Sequence, residues 1–412
     1  MSKKWLLFTS FFAFVTSSFA SSHIPPELEK INSTLKNLTL KNHEIEEYSK
    51  NSSSSRKDLP IEVLEQLDAN AQFNFGLGFE NEENLVEAKK CYQLAADAGH
   101  IEAQFNLANI FYEERNIPEA KKYWQLAADA GDIFAQNNLA VIFKEEGNIV
   151  ETKKYYQLAA NQRDINAQNN LAVIFKEEGN IPEAKKYWQF AADAEHRDAQ
   201  FNLANIFYEE GNIPQARKYW QRAADAGDIE AQNNLAAIFR EEGNIADARK
   251  YWQRAADAEH RDAQFNLANI FYEEKNIAQA RKYWQLAADA GHKSAQINIG
   301  GIFLQERNKP QAKKYYQLAA DAGHVGAQVV LGNIFFSENN RNEGKKYYQL
   351  AADAGHVEAQ FNLGATFEEE GDITQAKKYY QLAAEQGDEE AQLNFEAICL
   401  QERNIFQAKR YY

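Results

Sequence analysis

The side chains with the most chemistry to offer in this 412-residue chain stand in register. Six histidines, His100, His196, His260, His292, His324 and His356, share one slot of a 32-residue period. The ligands of one metal ion must lie within about 2–2.6 Å of it, whereas neighbouring 32-residue helical units sit roughly 20 Å apart, about two helix diameters. The same slot holds Asp132, Asp164, Asp228 and Asp388, and a His/Asp interchange at a helix start is a capping signature. No metal or cofactor site is therefore expected. Cys91 and Cys399 fall in the first and last repeats, where stacking keeps them beyond the roughly 7 Å that a disulfide allows between Cα atoms, so both are expected as free thiols. Gly-x-Ser-x-Gly, His-Glu-x-x-His and Walker patterns do not occur.

The elements that must position these residues follow from the period itself. Ala-Gln begins at Ala71-Gln72 and returns at Ala103, Ala135, Ala167, Ala199, Ala231, Ala263, Ala295, Ala327, Ala359 and Ala391, each followed by Gln, which makes eleven repeats. An ordinary chain of this length would form two or three globular domains, but a strict repeat predicts one array over 71–412, because each unit must bury its apolar face on the next. In Ile101–Asp132, Ala103, Leu107, Ala108 and Phe111 share one helical face, which predicts helix A over about 101–114. Ala120, Trp124, Ala127 and Ala128 do the same for helix B over about 117–130. Between them, position 115 is Gly in the equivalents 147, 179, 211 and 243, which fits a left-handed helix end. Asn116 caps helix B, with Glu119 placed for a capping box and Pro118 in the first turn. Gly131 ends the unit and Asp132 caps the next. Two helices joined by three residues lie antiparallel, so the fold class is all-α, an α-solenoid of about eleven helix-turn-helix units.

Leu107-Ala108, Phe111, Ala120, Trp124 and Ala127 resemble the tetratricopeptide repeat, and Leu126-Ala127-Ala128-Asp129-Ala130-Gly131 followed by Ala135-Gln136 is similar to its relative, the Sel-one-like repeat. The resemblance covers 71–412. It departs in one respect, since Sel-one-like repeats carry a longer, Gly-rich loop between the two helices. The resemblance implies a binding scaffold. Some tetratricopeptide domains clamp a peptide carboxylate with Asn on helix A, and here Asn74, Asn106, Asn138, Asn170, Asn202, Asn234, Asn266, Asn298, Asn362 and Asn394 share a slot that only Val330 breaks. That clamp also needs a cation nearby, and positions 102, 134, 166, 198, 230 and 262 supply none, so the ladder is expected to satisfy backbone groups between units. Cys-rich Sel-one-like proteins associated with β-lactam binding or hydrolysis carry a Cys pair in each repeat, which this chain lacks.

Function is expected on the concave face. Four helix A slots on the side opposite B read Glu102, Phe105, Asn109, Tyr112 in one repeat type, and likewise Asp198, Phe201, Asn205, Tyr208 and Asp262, Phe265, Asn269, Tyr272. The other type reads Phe134, Asn137, Val141, Lys144, or Glu230, Asn233, Ala237, Arg240. The core hardly changes between units while these slots do, and aromatic anchors beside adaptable polar groups suit a protein surface. Phe105, Asn109, Tyr112, Asn137, Lys144, Phe201, Asn205, Tyr208, Asn233, Arg240, Asn269 and Tyr272 are thus the candidate partner contacts, with Phe packing between adjacent A helices as the competing reading. Paired cations from Lys89-Lys90 to Lys409-Arg410 account for 22 of 45 basic residues. They follow a buried Ala, so they are expected to face outward and to meet Glu pairs such as Glu145-Glu146 across the short loop, as a solvated ridge or, alternatively, an anion-binding stripe.

Bulk properties narrow the function classes. The formal charge is −15, or −17 once Lys3 and Lys4 leave with a signal peptide, which argues against nucleic acid or an anionic membrane as partner. Residues 1–20 read as that signal: two lysines, an apolar run from Trp5 to Val15 and Ser18-Phe19-Ala20, too short to span a bilayer. Residues 21–57 hold Leu28, Ile31, Leu35, Leu38, Asn42 and Ile45 at heptad spacing, which reads as a short amphipathic helix or a disordered leader, then a Ser-rich linker. Residues 58–70 are expected to form an N-terminal capping helix. The last repeat stops after 22 residues at Tyr412, with helix B cut short and no polar cap. The leading expectation is an exported, non-enzymatic scaffold, periplasmic or secreted, that binds a protein or peptide and uses no cofactor. Self-assembly through the C-terminal repeat is the second, and a β-lactam-related hydrolase the third.

Overall fold

The computed structural model describes residues 64–411, with side chains to Asn404. All regular structure among the described residues is helical, in A–B pairs. The pairs α1 (Ala69–Asn81) and α2 (Leu85–Asp97), α3 (Ile101–Glu113) and α4 (Ile117–Asp129), and α5 (Ile133–Glu145) and α6 (Ile149–Asn161) belong to one compact unit, which ends at Ala167 within α7 (Ile165–Glu177). A second unit begins at Gln168. It holds α8 (Ile181–Asp193), α9 (Arg197–Glu209), α10 (Ile213–Asp225), α11 (Ile229–Glu241), α12 (Ile245–Asp257), α13 (Arg261–Glu273), α14 (Ile277–Asp289), α15 (Lys293–Gln305) and α16 (Lys309–Asp321). It continues through α17 (Val325–Ser337), α18 (Arg341–Asp353), α19 (Val357–Glu369), α20 (Ile373–Ala384) and α21 (Glu389–Tyr411). Inside each unit a helix packs on its pair partner and on the first helix of the following pair, as in an α-solenoid. Residues 1–20, expected as a signal, and the expected leader of 21–57 lie outside the described residues.

The apolar stripes read from the sequence are the buried ones. Ala103, Leu107 and Ala108 of α3 and Ala120 and Ala127 of α4 are fully buried. Alanine lets the paired backbones approach, and a large aromatic of helix B fills the space beside them. That ring dictates the size of the residue it crosses. Opposite Trp124, Trp188, Trp220, Trp252 and Trp284 stands Ala, whereas opposite Tyr92, Tyr316, Tyr348 and Tyr380 stands Gly. A Cβ built at Gly332 would lie 2.4 Å from the Tyr348 ring. Ala140 opposite Tyr156 is the exception.

Loops and caps are local and follow expectation in the main. Arg115 takes φ 62° and Gly211 φ 74° at equivalent places, and the next amide, as in Asn116 to Phe111 at 2.8 Å, closes the turn. Asn116 Oδ1 accepts from the Glu119 amide at 3.5 Å. The return half of the capping box does not form, because Phe111 already holds the Asn116 N–H; the Glu119 carboxylate accepts from Lys122 instead. The histidine and aspartate slot caps helix A as read. Asp132 Oδ1 accepts from the Ala135 amide at 2.6 Å, and His292 Nδ1 from Ala295 at 3.1 Å. His100, His196, His260 and His324 do likewise, but His356 does not: it sits at the N-cap of α19 with Nδ1 buried and without a partner.

The links between repeats differ from expectation in three ways. The invariant Gln of Ala-Gln is buried in all described repeats but the last, where Gln392 turns to Glu396, and its amide donates to a carbonyl eight residues earlier, in the last turn of the preceding helix B: Gln104 to Ala96 at 3.1 Å, Gln232 to Ala224 at 3.1 Å, Gln360 to Ala352 at 3.2 Å. Gln72 finds the same carbonyl in Leu64, the buried residue of the expected 58–70 cap. Second, among the described residues the first cation of a pair does not face freely outward, nor does it meet a Glu across its own loop. Lys121 is half-buried over the Phe143 ring, 4.3 Å from its centroid, and pairs with Glu146 of the following repeat at 2.8 Å. Lys185 with Glu210 and Arg217 with Glu242 repeat this, because the B helix of one unit lies beside the end of the next A helix. The second cation, as in Lys186 with Glu183, pairs one turn back on its own helix. Third, a Gln on helix B donates to a Tyr hydroxyl thirty residues on: Gln189 to Tyr219 and Gln253 to Tyr283, both at 2.7 Å. At the C-terminal end, Arg403 and Asn404 continue α21 without the expected loop.

Two predictions follow from these links. The Oε1 atoms of Gln104, Gln200, Gln232, Gln264, Gln296 and Gln328 are buried without a partner. Gln136 and Gln360 escape this because Gln162 and Gln386, which stand where other repeats have Ala, donate to them at 3.0 and 2.8 Å. Ala226 is the matching position for Gln200, with nearly the backbone angles of Gln162. Ala226→Gln is expected to stabilise the fold by about 0.5–1.5 kcal/mol, read from thermal or urea melts, and no gain would refute the pairing. Second, an Nδ1 that accepts a cap must be unprotonated. Burial, and then Arg261, hold the His292 pKa below its usual 6.5, with Asp262 opposing. The unfolded chain therefore takes up this proton first, so the cap contributes above about pH 6.5 and is lost as pH falls below it. The melting temperature should drop between pH 7 and pH 5, and His292→Asp should shrink that drop; identical pH profiles would refute it.

Candidate functional site

The B-helix aromatic that sets the core also organises the candidate site. Its polar atom reaches back to helix A of its own repeat. Trp124 Nε1 donates to Asn109 Oδ1 at 3.0 Å, Trp220 to Asn205 at 2.9 Å and Trp284 to Asn269 at 2.9 Å. In the other repeat type the acceptor moves four residues back, so Trp252 donates to Asn233 at 3.0 Å and Trp188 to Asn169 at 3.1 Å. The exchange of Phe and Asn between the two types is thus a compensated one: each places a carboxamide oxygen where the indole needs it. Where the aromatic is Tyr, the acceptors are Glu80 for Tyr92, Asn333 for Tyr348 and Glu368 for Tyr380. Burial and the nearby Glu358 push the Tyr348 hydroxyl up to about 12.

These bonds relocate the candidate slots. The Asn109 and Tyr112 slots meet the Trp of helix B, whereas the Phe105 slot faces the following A helix. Asn109, Asn205, Asn233 and Asn269 spend their oxygen inside the repeat and leave only the amide N–H groups outward. Asn137 donates to the Ile133 carbonyl at 3.1 Å. Phe105 is half-buried, its ring 6.0 Å from that of Phe134 on the following A helix, and Phe201 is half-buried too. Phe265 stacks on His292 at 4.2 Å, so this slot serves packing between repeats. The Asn ladder meets side chains rather than backbone where its contacts are clear: Asn106 and Asn394 lie against the hydroxyls of Tyr92 and Tyr380. Both cysteines are free; Cys91 is buried, and burial pushes its thiol up to about 12.

The exposed remainder is aromatic and cationic. Tyr112, Tyr208 and Tyr272 keep 40%, 45% and 50% of their surface accessible, each tilted against its repeat's Trp at 5.1–5.4 Å. Lys144 is exposed at the same slot. Arg240 lies over the Trp252 ring and pairs at 2.6 Å with Glu273 of the following A helix. Two clefts open beside these residues in the second unit. One, of about 250 Å³, is lined by Asn205, Tyr208, Glu209, Trp220 and Asn234. The other, about 490 Å³, brings together three of the sequence candidates, Arg240, Asn269 and Tyr272, with Glu273, Trp284, Gly301 and Tyr316 among its walls. Sequence reasoning missed Gly301 and Tyr316. The available signal was a Gly in the slot that elsewhere holds Asn109, Asn205, Asn269 or Asn333. Among the described residues no three metal-ligating side chains cluster, and no helix is long and apolar enough to cross a membrane.

Comparison with known proteins agrees with this architecture. The Sel1 repeat family model matches residues 71–100, 101–132, 133–164, 295–324, 331–356 and 357–388, and the tetratricopeptide repeat model matches 169–231 and 233–295. Among solved structures, the chain is similar to c5321, described as a protective antigen present in uropathogenic Escherichia coli strains displaying an SLR fold. The two are 21% identical over 94% of this chain and 91% of that one, with a TM-score of 0.63. A Sel1 repeat protein from Oxalobacter formigenes is 20% identical over 65% of this chain and 87% of its own, with a TM-score of 0.54. At such identities the likeness is one of fold. No curated protein matches the sequence.

Proposed function

We propose that this chain, a protein of Sel1 and tetratricopeptide repeats, is an exported, non-enzymatic scaffold that binds a protein or peptide on its A-helix surface. One observation carries the reading. Tyr208, Arg240 and Tyr272 stand at the same slot of three successive A helices, accessible, braced by Trp220, Trp252 and Trp284, with clefts beside them. Rigid aromatics held in one rotamer lose little entropy on binding, and Tyr and Arg dominate the energetics of protein interfaces. The acidic balance of −15 favours a neutral or basic partner and disfavours nucleic acid. Export rests on residues 1–20, and the non-enzymatic reading on the repeat scaffold itself, in a sequence without Gly-x-Ser-x-Gly, His-Glu-x-x-His or Walker patterns.

The test uses a partner captured from the extracellular or periplasmic fraction. Tyr208→Ala, Arg240→Ala and Tyr272→Ala together should weaken its binding at least tenfold with the helical signal intact. Asn269→Ala is the counterpart: it leaves the Trp284 N–H without its acceptor and should cost about 1–3 kcal/mol of stability. Unchanged affinity in the triple variant rejects this surface.

Self-association is a second reading, favoured by α21, where Leu393 and Leu400, seven residues apart on one face, are 66% and 59% exposed. Light scattering on the wild type and on the Leu393→Lys, Leu400→Lys double variant tests it. A larger species that reverts to monomer in the variant supports docking through this face, and a monomeric wild type removes it.

A further inference from the structure

The repeats supply their own control for the aromatic of helix B. Its polar atom has an acceptor on the preceding A helix in eight described repeats, always at one of three slots. Asn at the first slot serves Trp188 and Trp252. Asn at the second serves Trp124, Trp220, Trp284 and Tyr348. Glu at the third serves Tyr92 and Tyr380. For Tyr316 the three slots read Ile297, Gly301 and Leu304, and none of these side chains can accept a hydrogen bond. Tyr316 is 6% exposed, burial alone raises its pKa, and its hydroxyl has no hydrogen-bond partner among the described residues. The ring is buried, but the hydroxyl is not enclosed: it opens onto the cleft, where a ligand could take the place of solvent.

The missing side chain is also what opens the larger cleft. Gly301 and Tyr316 both line it, and a Cβ on Gly301 would meet the Tyr316 hydroxyl at 3.6 Å, an ordinary contact. An Asn here would both fill the space and satisfy the hydroxyl, as Asn333 does for Tyr348. Around the space stand the rings of Tyr272 and Trp284, the aliphatic side chains of Ile297 and Ile302, and Asn298. Asn269 has its oxygen on Trp284, so its amide hydrogens remain for another acceptor. The two charges at the rim, Arg240 and Glu273, are paired with each other at 2.6 Å and leave the cleft neutral.

We propose that this cleft is a specificity pocket for one uncharged, hydrogen-bonding aromatic side chain of a bound peptide, a tyrosine, whose hydroxyl pairs with Tyr316. The volume, about 490 Å³, lies in the range of pockets that enclose small ligands. The apolar and aromatic walls select a flat ring, through offset or edge contacts with Tyr272 and Trp284. A charged tip is disfavoured, because it would lose water beside a neutral hydroxyl with no countercharge to spare. Discrimination comes from the hydroxyl: a ligand that covers it displaces its water, and one that offers no hydrogen bond in return is rejected. This inference rests on the scaffold reading and names the chemistry of part of its surface.

The experiment is a titration of the full chain with small probes, followed by calorimetry or by ligand-observed NMR. N-acetyl-tyrosinamide should bind with a dissociation constant near or below about 1 mM, and at least about fivefold more tightly than N-acetyl-phenylalaninamide. Tyr316→Phe should erase that preference. Gly301→Asn should abolish probe binding while leaving the melting temperature unchanged or higher, and Gly301→Val should abolish binding without the gain. Equal binding of the tyrosine probe by wild type and Gly301→Asn overturns the proposal. Preference for N-acetyl-lysinamide, N-acetyl-glutamate amide or methyl glucoside overturns the assigned chemistry. Should the triple variant lose its partner while no probe binds, the pocket fails and the scaffold stands; should the probe bind while the triple variant keeps its partner, the scaffold surface fails instead.

Discussion

Most repeats depend on one buried hydrogen bond, from the Gln of Ala-Gln to a carbonyl at the end of the preceding helix B. The last carbonyls of a helix have no partner in their own helix, and an unpaired one buried between helices is costly. Gln104 solves this for Ala96, Gln200 for Ala192 and Gln264 for Ala256. The bond fixes where the next A helix begins relative to the helix before it, so the period of 32 has a physical cause. Glutamate in that place would be acceptor-only when ionised and could not serve, and Asn would be one methylene short. The same bond leaves a second atom in difficulty. A carboxamide that turns its nitrogen to a carbonyl turns its oxygen away, and in most repeats that oxygen is buried alone. The chain tolerates this cost because each interface adds several weaker links: the Lys or Arg over a Phe, its ion pair with the following Glu, and the Gln–Tyr bond between B helices.

What the sequence discloses and what it hides are separated by a geometric rule. Helix limits, the Asn and His/Asp caps, the glycine turns and the buried Leu and Ala faces all depend on residues three to eight places apart, and such pairs have one reading. Those predictions match the structure to within a residue at α3 and α4. Links between repeats join residues 25 to 30 places apart, as in Lys121–Glu146 and Gln189–Tyr219. In a periodic chain the same slot recurs every 32 residues, so a Lys that could meet the Glu of its own unit or of the next has two indistinguishable readings on paper. Only the placement of helix B beside the following A helix decides between them. The expectation that charges cancel across their own loop failed for this reason, although the charges do cancel.

The candidate surface was legible in a similar, partial way. Variation of the helix A slots against a constant core was read as a binding signature, and for Asn109, Asn205, Asn233 and Asn269 the variation has an internal cause. The indole of helix B requires a carboxamide oxygen, and either of two slots can supply it. A change from Phe to Asn at one slot therefore travels with a change from Asn to Val or Ala at the other, with no partner involved. Only residues free of this coupling retain the original meaning. Tyr112, Tyr208 and Tyr272 shield a Trp yet remain near half exposed, and Arg240 covers one from the other repeat type.

Coupling of this kind also says where selection for something other than folding would show. Within the second unit, Trp188, Trp220, Trp252, Trp284, Tyr348 and Tyr380 each have a partner on helix A, and the choice of slot is free so long as one is filled. Folding alone would restore an acceptor near Tyr316 at small cost, since a Cβ at Gly301 meets nothing closer than 3.6 Å and the slot accommodates Asn in sibling units. Position 301 thus stays Gly although it is sterically open and the repeats on either side carry Asn269 and Asn333 there. The buried oxygens of the Gln ladder show that this chain accepts unpaired polar atoms where packing forces them. At Tyr316 packing forces nothing, and the unpaired hydroxyl opens onto a cleft rather than into the core, which is the arrangement a ligand can complete and a folded interior cannot.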